Sequence, residues 1–238
     1  MTELLKGFGI LAIYFIVAAS TALILHKLIR IPDEVFRKTL HLILLASLLI
    51  WTLVFDTWYI AVLAVVIFVV LVYPILGIAE RWKGYSQMLT ERNHGEIRRS
   101  LVLVFGMYAF VMTICWGIFQ DRLLGLCSIC AWGFGDGAAA LIGKRFGRHK
   151  LEGRFIEGKK SVEGTAAMFA VSFLSVVIVL AFRGGMAWYL YPVIALPTAL
   201  VSALVELFTK HGLDTATCPI CAMIVILPLV QLLGGSLG

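Results

Sequence analysis

Charge is what this sequence has least of. Asp, Glu, Lys and Arg make up 14% of the chain, against about a quarter in average soluble domains. That supply cannot cover the surface of a water-soluble protein, so a soluble globular domain is excluded. No polar segment is long enough to form a separate soluble domain. Internal repeats of about 20–50 residues and low-complexity tracts are also missing. No G-x-x-x-x-G-K-[ST] run occurs, so a P-loop phosphate cradle is not expected. Nothing resembles a cleaved signal peptide, and the first apolar run is expected to stay as an anchor. Zinc spacing is absent too. The two C-x-x-C pairs, Cys127/Cys130 and Cys218/Cys221, are separated by 87 residues, where zinc sites use about 15–20. The pairs are also expected near opposite membrane faces, so neither a shared zinc nor a disulfide is expected.

What the chain does have is long apolar runs. It is 61% hydrophobic, with a mean hydropathy of +0.98. Runs of roughly 17–25 apolar residues read as membrane-spanning helices, and eight are present: 7–26, 40–55, 57–79, 100–119, 123–143, 164–182, 186–208 and 216–233. The second is short. The expected fold is therefore all-α: a polytopic integral membrane helix bundle of about eight transmembrane helices, forming a single membrane domain over 1–238.

The net charge of +6 does not point to nucleic acid, because of how it is distributed. The first, third, fifth and seventh loops hold seventeen of the twenty Lys and Arg residues. By the positive-inside rule this places both termini outside and the basic loops in the cytoplasm. Topology and anionic headgroups account for most of this charge. They do not account for the acids and glycines set among it.

The first loop contains Pro32-Asp33-Glu34, a helix start with acids in its first turn. If that helix continues, Arg37, Lys38 and His41 ride into the second span, with Arg37 and His41 on one face. A membrane-surface anchor with snorkelling cations is the plain alternative. The third loop carries Arg92, His94, Glu96, Arg98 and Arg99, which also read as a solvated surface.

The densest polar block runs from Gly135 to Gly164 and holds seven of the twenty basic residues. It begins with Asp136 inside an apolar span. An ionisable residue at membrane depth is a functional-site hypothesis by default. Gly133, Gly135 and Gly137 surround it, and an unwound or kinked segment there is tolerated where it lines a cavity. A carboxylate at that depth could hold a divalent cation such as Mg²⁺, which uses one or two carboxylates plus substrate phosphates. Lys144, Arg145, Arg148, His149 and Lys150 follow, then Gly158-Lys159-Lys160-Ser161-Val162-Glu163-Gly164. Lysines at a helix N-terminus make a ready anion site. Glu206 lies within the seventh span and Asp214 at the start of the eighth, in the same membrane half as Asp136 by the span count. Together they suit a metal and a polyphosphate; interhelical ion pairing is the structural alternative.

These residues, in this order, resemble a known family. Arg37, Lys38 and His41, then Arg92 to Glu96, then G-D-G-A-A-A-L-I-G-K-R-F-G, G-K-K-S-V-E-G and E-L-F-T-K-H-G-L-D are similar to the CTP-dependent lipid-alcohol kinases. That family includes phytol kinases, dolichol kinases and CTP-dependent diacylglycerol kinases, and its core is similar to that of phosphatidate cytidylyltransferases. The resemblance covers about 35–220, the expected catalytic core. It implies an enzyme, with a cytoplasmic-facing site, that transfers the γ-phosphoryl of CTP to the hydroxyl of a membrane lipid alcohol. It implies Mg²⁺ on Asp136 and Asp214, with Glu206 as a third acid. It implies CTP contacts from Lys159, Lys160 and Ser161, with Glu163 supporting their loop. Gly135, Gly137, Lys144 and Gly164 belong to the same nucleotide-binding block, and Arg37 and His41 would line the cavity. Asp136, Asp214 or His41 would accept the alcohol proton. Two departures stand out. Many members read D-N-x-T-V-P where this chain has Asp214-Thr215-Ala216-Thr217-Cys218-Pro219. The longer cytidylyltransferase signature of K-D, G-H-G-G and D-R is echoed only by Gly212-Leu213-Asp214, which favours the kinase.

Overall fold

The computed structural model describes residues 2–29, 31–82, 84–85, 89, 91, 95–153, 156, 160–210 and 212–233. Among these the structure is helical, and eight helices are long and apolar enough to cross a membrane. They match the eight expected spans. The chain divides into two compact units, Met1–Ala109 and Phe110–Gly238.

The N-terminal unit contains α1 (Thr2–Ile29), α2 (Asp33–Val54), α3 (Trp58–Ala79) and most of α4 (Glu96–Met112). The second span is longer than its apolar run because α2 starts at Asp33. Pro32 sits just before it in an extended conformation, and the Phe36 N–H donates back to the Pro32 carbonyl at 3.0 Å. Asp33 and Glu34 fill the first turn, where negative charge offsets the helix dipole. Packing here relies on large aromatic rings. Trp51 is fully buried; it stacks on Phe55 at 5.4 Å and meets Phe8, Phe68 and Phe105 edge-on. Gly7 makes room for this cluster: a Cβ there would stand 2.2 Å from the Phe55 ring. Glu3 reaches the start of α3, accepting from the Asp56 N–H at 2.8 Å and the Thr57 N–H at 3.3 Å.

In the C-terminal unit, α4 gives way to a π-helical turn, Thr113–Ile118, followed by α5 (Arg122–Phe146), α6 (Val162–Arg183), α7 (Leu190–Phe208) and α8 (Asp214–Leu232). The inner helix is α5, which packs on α6, α7 and α8. It remains helical through Gly133–Gly137, where a break was anticipated. The glycines serve close packing instead. Gly135, Ala139 and Gly143 recur every fourth residue and form a seam against Gly164, Met168 and Ser172 of α6. A Cβ on Gly143 would lie 3.4 Å from the Gly164 Cα, and one on Gly164 3.0 Å from the Ala139 carbonyl oxygen. The Ser172 hydroxyl donates to the Ala131 carbonyl at 2.6 Å. Close backbone approach and interhelical hydrogen bonds drive helix association where lipid removes the hydrophobic incentive.

Candidate functional site

One end of the C-terminal unit gathers most of the sequence-predicted site residues. The other end is closed by a single polar device. There the Asp121 carboxylate accepts from the Leu123 and Leu124 N–H groups, both at 3.1 Å, and so caps α5. The Arg183 Nε donates to the same carboxylate at 2.6 Å.

At the site end, α5 leads into a hairpin that returns to the start of α6. Its neck is stitched tightly. The Leu151 N–H donates to the Lys160 carbonyl at 3.0 Å, the Val162 N–H to the His149 carbonyl at 2.9 Å, and Lys150 bridges Ser161. Ser161 is buried and caps α6, accepting from the Gly164 N–H at 3.1 Å. Glu163 holds the other strand of the neck: its carboxylate accepts from the His149 backbone N–H at 3.2 Å and pairs with the ring Nδ1 at 2.7 Å. The Thr165 N–H donates to the Ser161 carbonyl at 3.0 Å. The first N–H groups of a helix ordinarily lack partners and attract anions. Here the N–H groups of Val162, Gly164 and Thr165 have each been given one.

Lys160 is also committed. Its Nζ pairs with the Glu206 carboxylate at 3.0 Å, donates to the Glu206 carbonyl, and donates to the Thr209 carbonyl at 3.2 Å. A cation at a helix C-terminus satisfies the last carbonyls and offsets the dipole. Lys160 thereby ties the hairpin to the end of α7. Lys159 lies outside the described residues. Lys144 is exposed on the last turn of α5.

Three carboxylates lie within electrostatic reach of the Cys218 thiol of α8. Asp214, Glu206 and Asp136 all act on it electrostatically. Asp214 stands one turn before Cys218 on the same helix. The Cys218 thiol donates to the Ser202 carbonyl at 3.7 Å, and Glu206 is one turn beyond Ser202 on α7. Asp136 comes from α5 and is half-buried. Because α5 continues to Phe146, Asp136 lies ten residues, roughly 15 Å, from its end. The five cysteines are free.

The remaining candidates belong to the N-terminal unit. Arg37 is half-buried, paired with Glu34 one turn back, and 3.9 Å from Glu96. His41 is half-buried one turn further along α2, and Lys38 between them is buried. In the third loop Arg98 pairs with Glu80 at 3.3 Å and covers the Tyr73 ring at 4.9 Å. Burial, with Glu91 and Glu80 nearby, pushes the Tyr85 phenol up to about 12. Arg92 and His94 lie outside the described residues.

The chain is 32% identical over 220 residues to a curated phytol kinase from Synechocystis sp., an alignment covering 89% of this chain and 86% of that protein. The chain belongs to the phytol kinase family. No family model matches the chain, and no solved structure matches it. Membership in the phytol kinase family agrees with the resemblance carried by the Gly135–Gly164 block, and makes the chain a lipid-alcohol kinase by family.

Within this family member, the donor set at the site end suits a hard cation. Asp136 and Asp214 supply carboxylate oxygens from two helices. Among the described residues, no three His, Cys, Asp or Glu side chains gather closely enough to hold a metal by themselves. Mg²⁺ sites in general use one or two carboxylates and complete the shell with water and substrate phosphates. Sequence reasoning missed three arrangements: Asp121–Arg183, His149–Glu163 and Lys160–Glu206. Only the first had a local signal, an acid directly before an apolar helix.

Proposed function

We propose that this protein transfers the γ-phosphoryl of CTP to the hydroxyl of a membrane lipid alcohol, with an isoprenoid alcohol of the phytol type as the first candidate. The observation that supports the reading is that Asp136, Glu206 and Asp214 all lie within electrostatic reach of Cys218, in the unit whose basic hairpin Lys160 pins to α7. The family relative supplies the reaction class and the alcohol. CTP comes from the resemblance of the Gly135–Gly164 block.

Phosphoryl transfer depends mainly on positioning and charge neutralisation. Mg²⁺ would be held by Asp136 and Asp214 and, when bound, would neutralise charge on the phosphates. The alcohol oxygen attacks the γ-phosphorus, the bond to the β–γ bridging oxygen breaks, and CDP leaves. A carboxylate of the same cluster takes the alcohol proton. Lys160 neutralises Glu206 and holds the hairpin to α7, so its part in the proposal is to position the neck. Lys144 and Lys159 stand as cations for the polyphosphate. Arg37 and His41 enter on the resemblance alone. The Lys and Arg asymmetry of the loops supports a cytoplasmic placement of the basic hairpin and termini outside, matching a cytosolic nucleotide.

The test uses purified full-length protein, phytol and CTP labelled at either the α or the γ position, with γ-labelled ATP in parallel. Label from γ-CTP in the lipid is the expected result. Label from α-CTP would make the protein a cytidylyltransferase, and transfer from ATP but not CTP would overturn the nucleotide assignment. Parallel reactions with a polyprenol and diacylglycerol separate the alcohols.

A further inference from the structure

The neck of the hairpin raises a question about anion binding. The groups that look like phosphate ligands in the sequence are turned inward. Ser161 Oγ accepts from Gly164, Lys160 is tied to Glu206 and Thr209, and the Val162 and Thr165 N–H groups donate to backbone carbonyls. Among the described residues of the neck, the His149 ring offers an oriented nitrogen. His149 is exposed, at 78% of its side chain, yet its ring does not rotate freely. The Glu163 carboxylate grips both its backbone N–H and its Nδ1. No described residue partners the opposite ring nitrogen, Nε2. A carboxylate that holds one imidazole nitrogen sets the tautomer and orientation of the ring, and so fixes where the other nitrogen is presented.

We propose that His149 is an anion ligand of this site, aimed by Glu163, and that it contacts the polyphosphate of the nucleotide through Nε2. Glu163 is then a positioning residue, not a nucleotide ligand. As an imidazolium, His149 donates Nε2–H to a phosphate oxygen. The bond is charge-assisted, and its cost in orientation is already met by Glu163. Arg148 and Lys150 flank it and add unoriented positive charge. This inference rests on the kinase reading only for the identity of the anion.

The probe is inorganic tripolyphosphate, bound to detergent-purified full-length protein and followed by calorimetry. Two substitutions of similar size separate a ligand from a structural clip. His149→Asn keeps a donor for Glu163 and removes Nε2. His149→Gln keeps a distal nitrogen donor and gives up the Glu163 bond. A ligand role predicts about tenfold weaker binding for His149→Asn, the scale of one charge-assisted hydrogen bond, with partial retention in His149→Gln. Glu163→Ala, which releases the ring, should resemble His149→Asn. Glu163→Gln, which still accepts from Nδ1–H, should remain close to the parent. Unchanged affinity in His149→Asn overturns the proposal, and so does a parent protein that does not bind tripolyphosphate. The kinase reading fails separately. Binding that depends on His149 without γ-phosphoryl transfer leaves this inference standing. Transfer with an unchanged KM for CTP in His149→Asn removes it and leaves the kinase.

Discussion

The C-terminal unit has a largely buried ion pair at each end, and the two pairs keep different company. Arg183 and Asp121 meet at 2.6 Å, with side chains 8% and 11% exposed. Their surroundings are the π-helical turn, the Arg183–Gly184 corner and buried apolar residues such as Leu124 and Leu180. Lys160 and Glu206 meet at 3.0 Å, with side chains 17% and 11% exposed. Around them stand Asp136, Asp214, the His149–Glu163 couple and an exposed lysine. The difference teaches that a buried salt bridge does not by itself mark an active site. At the Asp121 end it closes a turn. At the Lys160 end it neutralises one acid and pins a loop, in the unit that also holds Asp136 and Asp214.

That contrast breaks most readily at its structural end. Arg183→Met leaves the Asp121 carboxylate buried against two helix N–H groups with its cation gone. Removing one partner of a buried pair typically costs about 3–5 kcal/mol. The expected outcome is a large fall in melting temperature in detergent, with kcat per folded molecule near that of the parent. A loss of kcat without a loss of stability would place chemistry at the wrong end. Asp136→Asn should do the reverse. It removes one charge from the proposed Mg²⁺ site and keeps nearly the same volume. Phosphoryl transfer should fall about 10²–10³-fold, the scale of losing one transition-state-stabilising group. The melting temperature should hold or rise, because a costly charge at membrane depth has been removed. Full activity in this variant would sink the proposed site.

The Lys160–Glu206 pair sharpens the comparison more gently. Lys160→Met leaves Glu206 and two carbonyl groups short of a donor. A charged hydrogen bond is worth about 1.5–3 kcal/mol, so a loss near 2 kcal/mol is expected, along with reduced activity. Adding Glu206→Gln should recover part of the stability, since the stranded charge is gone. A double-mutant cycle measures that recovery. If Lys160 served the polyphosphate alone, Lys160→Met would raise the KM for CTP without destabilising the protein, and the cycle would show no coupling.

Much of the helix count was legible because the length of an apolar run is itself the physical signal for a span. The start of α2 was legible as well, since Pro32-Asp33-Glu34 carries both the conformational and the electrostatic mark of a helix N-terminus. The block from Gly135 onward was legible as special, but its use was not. Glycines at four-residue spacing read equally well as a hinge or a helix seam, and only the partner helix decides. The couples that build the neck were invisible for a simpler reason. His149 and Glu163 are 14 residues apart, and Lys160 and the Glu206 carbonyl are 46 apart. No local pattern encodes such pairings. Lysine and serine beside a helix start suggested phosphate contacts, and that the same two residues cap helices was not legible at all.

The smallest expected effect tests the seam on which the site end rests. Gly164→Ala would place a Cβ 3.0 Å from the Ala139 carbonyl oxygen and 3.3 Å from the Gly143 Cα. Both neighbours are backbone, so the α5–α6 crossing must widen. Overpacking of this kind costs about 1–3 kcal/mol. Gly135→Ala meets the Met168 sulfur at 2.5 Å and the Ser172 hydroxyl oxygen at 2.4 Å. These are closer contacts on paper, but both belong to side chains that can turn away. The expected order is therefore the opposite of the distance order: Gly164→Ala should lower the melting temperature more than Gly135→Ala. It should also lower kcat, because Gly164 lies in the first turn of the helix that carries Glu163 and Ser161. If Gly135→Ala proves the more damaging, the seam is held chiefly by the Ser172–Ala131 hydrogen bond rather than by backbone contact, and the crossing is looser at the site end than its glycines imply.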